Sequence, residues 1–270
     1  MKRLQSAINA ELIKIINYRT FWVLTGLYIL TLIVVLFGIQ AFLNNVTVNI
    51  NNKSPLPVPS ITVYAFPMVW QNLAYVAGYL KVFPAFLIII LITNEFSFST
   101  LKQQLISGTS RAIYLSAKII LIACFSIAIA LTVGLCGLVA GLLQPTPDYS
   151  KIINPGLWFI GAHAFEIFSY LIFTAFIAII FKRAGISVIL LMLYTLVIEK
   201  ILVFRLPESL GQKLPLESIG NLIPLPNSPL MKLFGVSFRN HTAWQDIASC
   251  LIYNLIFIAL MYLILRKKDL

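Results

Sequence analysis

Lys81, His163, Glu166 and Glu199 are ionisable residues that fall inside long apolar runs of the sequence. A charge near the centre of a bilayer costs about 2.5–3.5 kcal/mol on insertion scales, so such residues pair with one another or have a functional role. His163 and Glu166 are three residues apart, a spacing that places both on one helix face and that can hold a metal ion. No second acid–histidine group accompanies them, so the sequence favours a polar contact between helices.

Lys81 and Glu166 have similar predicted depths in the membrane, because each lies well inside its apolar run. We therefore predict an ion pair between them, with Glu199 as the competing partner of Lys81. A structural link between helices is slightly favoured over contact with a substrate. Glu199 and Lys200 lie close to the end of their own run, where long side chains reach the membrane surface.

Recognisable motifs for enzymatic chemistry are missing from the sequence. It contains no GxxxxGK[ST] loop that would cradle ATP phosphates, and no HExxH or GxSxG motif. The three cysteines lie in apolar runs without CxxC or Cys/His spacing, which argues against a disulfide framework and a zinc site. We therefore expect a chain that is not an enzyme and that binds no cofactor or metal itself.

Composition indicates a membrane protein. Of the 270 residues, 60% are hydrophobic and only 11% are charged, whereas a soluble domain is near one quarter charged. The formal net charge is +11, but the basic residues lie at the ends of apolar stretches and form no long run. This pattern is typical of the positive-inside rule and argues against a nucleic-acid partner.

The elements that position these residues are predicted to be helices, so the fold class is an all-α membrane protein with one transmembrane domain over residues 1–270. Residues 1–20 carry Leu4, Ile8, Leu12 and Ile15 at helical spacing among polar residues, which predicts an amphipathic helix lying on the membrane. Six spans are predicted, over residues 21–43, 70–93, 116–143, 157–181, 186–204 and 247–265.

Two longer connections are predicted outside the membrane. Residues 44–68 form a polar loop that contains PLPVP, which stops any helix. Residues 205–245 contain leucine and isoleucine between prolines, which suits either short helices dipping into the membrane surface or an ordinary packed loop.

The distribution of basic residues predicts the orientation. Six spans place both termini on one side, where twelve Lys and Arg residues fall, against six on the other. The richer side faces the cytosol, so both termini and the polar stretch 94–118 are expected there, and the two longer connections face outward.

The polar stretch between spans two and three reads NEFSFSTLKQQLISGTSRAIYLSAK. Leu101 and Leu105 recur one turn apart, which predicts a short amphipathic helix over residues 100–106 within a cytosolic segment 94–112. Glu95 either flanks the start of this helix or pairs with a basic residue and orients it. Arg111 and Lys118 are predicted to reach for lipid phosphates at the membrane edge.

The pattern of Glu95, Thr100-Leu101-Lys102, Ser110-Arg111 and Lys118, together with the N-terminal AELIKIINYRTFW, resembles permease subunits of type-2 ATP-binding-cassette exporters. The resemblance covers the whole chain in layout. It departs from the pattern in the very short loop 182–185, which leaves no second docking helix.

This resemblance implies a coupling role for the short cytosolic helix, which would dock in a groove of a separate ATP-binding subunit through Leu101, Leu105 and Ile106. The coupling residues carried over are Glu95, Thr100, Leu101, Lys102, Leu105 and Arg111. It also implies a second permease subunit, as homo- or heterodimer, and a prokaryotic cytoplasmic membrane. ATP and magnesium would bind the partner. The family's substrates range from peptides and antibiotics to lipids and ions.

Two other functions remain open. One is a membrane scaffold or anchor of an envelope assembly that transports nothing. The other is a secondary transporter that couples ions through Lys81 and Glu166 and needs no ATPase.

Overall fold

A computed structural model of the chain describes residues 2–53, 63–144, 155–226 and 242–267. In these residues the regular structure is helical. The α-helices are α1 (Lys2–Asn17), α2 (Arg19–Lys53), α3 (Val69–Tyr79), α4 (Val82–Ser97), α5 (Thr100–Ile106), α6 (Arg111–Leu142), α7 (Trp158–Phe181), α8 (Ala184–Leu193), α9 (Glu199–Arg205), α10 (Glu208–Gly211), α11 (Pro215–Gly220) and α12 (Trp244–Lys267). A π-helical turn over Tyr194–Ile198 joins α8 to α9, and a 3₁₀ turn over Pro155–Leu157 precedes α7.

The described part of the chain contains five helical segments long and apolar enough to cross a membrane, or six if the bent pair α3–α4 is one span. The five are Arg19–Phe42, Arg111–Leu142, Trp158–Phe181, Ala184–Arg205 and Trp244–Lys267. They match five of the predicted spans within a few residues. The prediction of an integral membrane protein built from helices is confirmed at this level.

Helix α2 is longer than predicted, because the polar loop was expected to begin at residue 44 and the helix continues to Lys53. After Gly38 the sequence has no glycine or proline until Pro55. Asparagines lower helix propensity by less than about 1 kcal/mol each, whereas proline ends a helix. The rest of the predicted loop up to residue 62, including PLPVP, lies outside the described residues.

The second predicted span is divided rather than straight. Helices α3 and α4 meet at Leu80–Lys81 with a bend of 47°. Pro84 explains the break, because a proline has no N–H to donate and its ring clashes with the carbonyl four residues earlier, here that of Leu80. Lys81 therefore lies at the break of the helix pair.

The bent pair runs along α6. At one end, a Cβ atom added to Gly137 of α6 would lie 3.2 Å from Leu73 and 3.3 Å from Trp70 of α3. At the other end, Glu95 of α4 binds Lys118, near the start of α6, at 2.7 Å. Helix α3 therefore packs beside the C-terminal half of α6, and the end of α4 is bound to its N-terminal half.

Helix α7 is the central helix of the bundle. In its most apolar window 67% of the residues are buried, compared with 17–33% in the other four long segments. It packs against α3, α4, α6, α8 and α12. Residues at its middle, including Glu166, are therefore surrounded by protein.

The connection after α9 folds onto the bundle. It forms the short helices α10 and α11, and it buries Ile219, Leu222 and Ile223 in the core. The Tyr253 hydroxyl of α12 donates to the Lys213 carbonyl at 2.7 Å. The described part of this stretch therefore contains short helices that pack on the bundle, and residues 227–241 lie outside it.

Close packing at Gly141 of α6 gives a first testable expectation. A Cβ atom there would overlap the Phe66 ring. We expect Gly141→Ala to destabilise the protein by about 1–3 kcal/mol, as overpacking does. Gly134→Ala is the control, because its Cβ would meet Ile160 at an ordinary 3.5 Å. Both changes remove a helical glycine, so equal thermal-unfolding midpoints in detergent would contradict this packing.

Candidate functional site

The first candidate site is a group of charged residues and one tyrosine, mostly buried, where α1, α4 and α6 meet, here called the end cluster. It consists of Glu11, Lys14, Glu95, Tyr114 and Lys118. Lys14 lies 2.7 Å from both Glu11 and Glu95. Lys118 lies 2.7 Å from Glu95 and also pairs with Glu11. The Tyr114 hydroxyl donates to the other Glu95 oxygen at 2.6 Å.

The end cluster is balanced in charge and largely closed to solvent. Glu11, Glu95 and Lys118 are each only 5% exposed. Two acids and two bases satisfy one another, which is the condition under which buried charges are tolerated. Removing one member would leave a buried charge without its partner, so the cluster holds its three helices in one arrangement.

Lys14 shows the electrostatic balance of the end cluster. Burial favours its neutral form, but the carboxylates of Glu95 and Glu11 outweigh this and hold the pKa of Lys14 above its ordinary value of 10.5. A raised pKa means that the contribution of protonated Lys14 to stability is present below pH 10.5 and is lost as pH rises through the raised value. Lys14 is therefore charged at neutral pH.

Helix α1 turns Glu11 and Lys14 toward α4 and α6. Asn94 of α4 donates to the Tyr18 hydroxyl at 3.0 Å, just beyond the end of α1. Leu12, which was predicted to share one apolar stripe with Ile8 and Ile15, is instead 45% exposed. The reason is that Glu11, next to it in sequence, finds its partners in α4 and α6.

Two basic residues differ from their prediction as lipid anchors. Lys118 is buried in the end cluster, so its predicted contact with lipid phosphates is wrong. Arg111 donates to the backbone carbonyls of Leu265 and Arg266 at the last turn of α12, the first at 2.6 Å. These carbonyls lack partners within the helix, and a basic residue also suits the negative end of the helix dipole.

Helix α5 spans Thr100–Ile106, where the sequence predicts a short helix. It connects α4 to α6. Leu101 is 2% exposed and belongs to the chain's own core, so it presents no side chain to a partner. Leu105 is half-buried, whereas Ile106 is 86% exposed. The outward face of α5 therefore carries Ile106 and the exposed Lys102 and Gln103.

The turn between α4 and α5 is also fixed by a hydrogen bond to the Glu95 backbone. The Thr100 hydroxyl donates to the Glu95 carbonyl at 3.4 Å, and Ser99 between the helices has a left-handed φ of 55°. The Glu95 side chain points to Lys14 and Lys118 rather than to the start of α5. Of the two alternatives for Glu95, pairing with basic residues is the one present in the structure.

The second candidate site is the core cluster of Lys81, His163 and Glu166. The predicted ion pair is formed, with Lys81 Nζ 2.7 Å from Glu166 Oε1. His163 Nδ1 lies 3.1 Å from the other Glu166 oxygen. Gly78 makes room for this carboxylate, because a Cβ atom there would lie 2.9 Å from Oε1.

The core cluster lies deep inside the protein. His163 is fully buried, Glu166 is 3% exposed, and Lys81 Nζ lies 5.3 Å from the centre of the Tyr170 ring. His163 Nε2 is buried without a hydrogen-bond partner among the described residues. In the same part of the chain, no three His, Cys, Asp or Glu side chains gather into a group able to hold a metal ion.

Glu199 lies apart from the core cluster, so its predicted competition for Lys81 is wrong. One of its carboxylate oxygens accepts from the Glu217 backbone N–H at 2.7 Å. Lys200 instead pairs with the Glu217 carboxylate at 3.0 Å and is well exposed. Helix α11 supplies these partners by folding back onto α9, which the sequence does not indicate.

Sequence reasoning missed the arrangement of the end cluster. It singled out Glu95 and Lys118 and noted Glu11 and Lys14 in the N-terminal motif, but it did not bring them together. Tyr114 was not identified at all. The one available signal was charge balance, since two acids and two bases stand at the ends of predicted helices on the same side.

A comparison of the sequence with protein-family models finds no match, and a comparison with curated proteins finds none. Function is therefore inferred from the geometry of the two clusters and of α5.

Proposed function

We propose that this chain is the membrane-spanning subunit of an ATP-driven exporter. It would dimerise with a second permease subunit and couple to a separate ATP-binding subunit, which holds ATP and magnesium. The proposal treats α3–α4 as one broken span, which makes six spans and puts both termini in the cytosol. A prokaryotic cytoplasmic membrane and an amphiphilic substrate such as a peptide or antibiotic fit this layout.

The observation that carries the proposal is the attachment of α5. This helix is joined to α4 and α6 by only a few residues, and the end cluster ties those two helices to α1 next to it. Force applied at the exposed face of α5 would therefore reach the second and third spans together. A coupling element needs this combination of an exposed contact and a rigid attachment.

Helix α1 supports the same arrangement at the membrane surface. Leu12, Ile13 and Ile16 are 45%, 60% and 59% exposed on the side away from the end cluster. An apolar face of this kind suits the boundary between headgroups and acyl chains. The helix would then hold the cytosolic end of the bundle at the surface where the partner binds.

Ile106 allows a direct test of partner binding. We expect Ile106→Asp to abolish co-purification of an ATP-binding subunit when tagged protein is isolated in mild detergent from cells that produce it natively, because a charge replaces the most exposed apolar side chain of α5. Mass spectrometry identifies the partner by its Walker A loop, and an ATPase assay measures the coupling.

The control is Gln5→Asp, which adds the same charge at an exposed position of α1. It is expected to retain the partner. Leu101→Asp is unsuitable because Leu101 is buried. If the unaltered protein purifies without any ATP-binding subunit, or if Ile106→Asp retains it fully, the proposed coupling is wrong.

A second candidate function has one observation in its favour. The core cluster places an ion pair and a buried histidine beside a break in a helix pair, a combination found in transporters driven by ion gradients. In this alternative, Lys81 and Glu166 exchange partners with the transported ion. The two candidates differ in whether transport requires ATP, and they predict different outcomes for the charge-pair variants discussed below.

A further inference from the structure

A basic groove lies between α5 and the turn that joins α7 to α8. Its volume is about 520 Å³. Its polar and charged lining includes Ser97, Ser99, Lys102, Lys182 and Arg183. Lys182 and Arg183 contribute to neither charge cluster, and Lys102 also belongs to the outward face of α5.

The charges of this groove are positive and poorly balanced. Lys102 and Arg183 are exposed and have no ion-pair or hydrogen-bond partner among the described residues. Lys182 lies 5.0 Å from the centre of the Phe96 ring. Glu95 reaches the wall of the groove, but its carboxylate is already bound by Lys14, Lys118 and Tyr114. The groove is therefore suited to an anion.

The position of the groove identifies the kind of anion. Helix α4 ends at Ser97, α7 ends at Phe181, and α8 begins at Ala184, so the groove lies at the ends of membrane-spanning segments. Phe181, in the lining, is 41% exposed, and Ile186 on the first turn of α8 is 42% exposed. Cations beside an exposed apolar surface at this depth match a phosphate headgroup and the start of its acyl chains.

We propose that the basic groove binds the phosphate group of an anionic membrane lipid, with Lys102 and Arg183 as its main contacts. Lys182 shapes the groove from the left-handed position that ends α7, where its φ is 55°. The bound lipid would fill the space between α5 and the short 182–185 turn. This inference requires only that the chain lies in a membrane, so it stands or falls independently of the ATP-binding partner.

The test uses the purified full-length protein in nanodiscs of phosphatidylcholine with increasing phosphatidylglycerol, followed by native mass spectrometry of the lipids it retains. We expect one phosphatidylglycerol to be retained selectively. In Lys102→Ala/Arg183→Ala its apparent affinity should fall about 30-fold, since each basic residue near an anionic lipid surface contributes about a fivefold step and the two steps multiply.

The matched control is Arg266→Ala/Lys267→Ala, which removes two exposed cations at the same end of the bundle but outside the groove. It should retain the lipid as the unaltered protein does. An equal loss in both double variants would overturn the proposal, since it would indicate general attraction to the membrane surface.

A second arm separates the lipid from a free anion. Inorganic phosphate is added at millimolar concentration to delipidated protein, and thermal stabilisation is compared with that given by phosphatidylglycerol. Stabilisation by the lipid alone, lost in the groove variant, supports the proposal. Equal stabilisation by inorganic phosphate would assign the groove to a soluble phosphate compound and overturn the lipid assignment, as would retention of an acidic protein segment in place of lipid.

Discussion

Glu95→Gln is expected to destabilise the protein by about 3–5 kcal/mol, the usual cost of removing one partner from a buried ion pair. Glu95 accepts bonds from Lys14, Lys118 and Tyr114, so it has the most hydrogen-bond partners of any member of the end cluster. Its loss leaves two lysines to share Glu11. The thermal-unfolding midpoint in detergent measures the effect.

A double variant that removes one acid and one base tests whether the loss of stability is caused by the unpaired charge. Glu95→Gln/Lys118→Met removes one acid and one base and leaves the Glu11–Lys14 pair, so we expect it to be more stable than Glu95→Gln alone. Glu217→Gln is the control for an exposed pair, because Lys200, its partner, is well exposed, and it should change stability by less than about 1 kcal/mol. A Glu95→Gln variant as stable as Glu217→Gln would show that the end cluster does not hold the helices.

The same variants test coupling. If α5 transmits motion through the end cluster, the Glu95→Gln variant should still bind the ATP-binding subunit through Ile106. Its ATP-dependent transport should nevertheless be weak. Partner binding and transport would then separate, because the contact face is intact and its attachment is loosened. Loss of both partner binding and transport would indicate that Glu95 is needed for folding rather than for transmitting motion from α5.

The long helices and one buried contact could be predicted from the sequence because each depends on a local or a simple pairwise rule. Apolar runs predict spans, and the predicted fifth span, 186–204, lies within the observed segment Ala184–Arg205. The Lys81–Glu166 pair was predictable because charges at similar depth in a bilayer have few alternatives.

Other features were not predicted, two of them because a local signal was overlooked and one because it depends on packing. The break at Leu80–Lys81 follows from Pro84, but a window average of hydropathy smooths over one proline. Helix α6 begins at Arg111, earlier than the predicted 116, because the Ser110 hydroxyl accepts from the Ile113 N–H at 3.2 Å and starts the helix. The sequence also left Leu101 and Ile106 as equal contributors to one apolar face, and only the packing of α5 distinguishes the buried residue from the exposed one.

Lys81→Met and Glu166→Gln should each destabilise the protein by about 3–5 kcal/mol, because each leaves a charged or polar group of the core cluster without its partner. The double variant Lys81→Met/Glu166→Gln removes both charges of the ion pair and keeps an amide oxygen within reach of His163 Nδ1, so no buried charge is left without its partner. We therefore expect its thermal midpoint to return close to that of the unaltered protein. Gly161→Ala is the control, because it lies on the same helix with nothing within 4 Å of an added Cβ atom.

The double variant also separates the two candidate functions. If the core cluster is a structural link in an ATP-driven exporter, recovered stability should bring back ATP-dependent transport with it. If the cluster couples ions, the double variant should be stable and unable to transport, and transport by the unaltered protein should persist without ATP and stop when the ion gradient is collapsed. Glu166 is buried on the central helix α7 and bound by both Lys81 and His163, which favours the structural outcome. Stable but inactive protein would instead assign the chemistry of transport to Lys81 and Glu166.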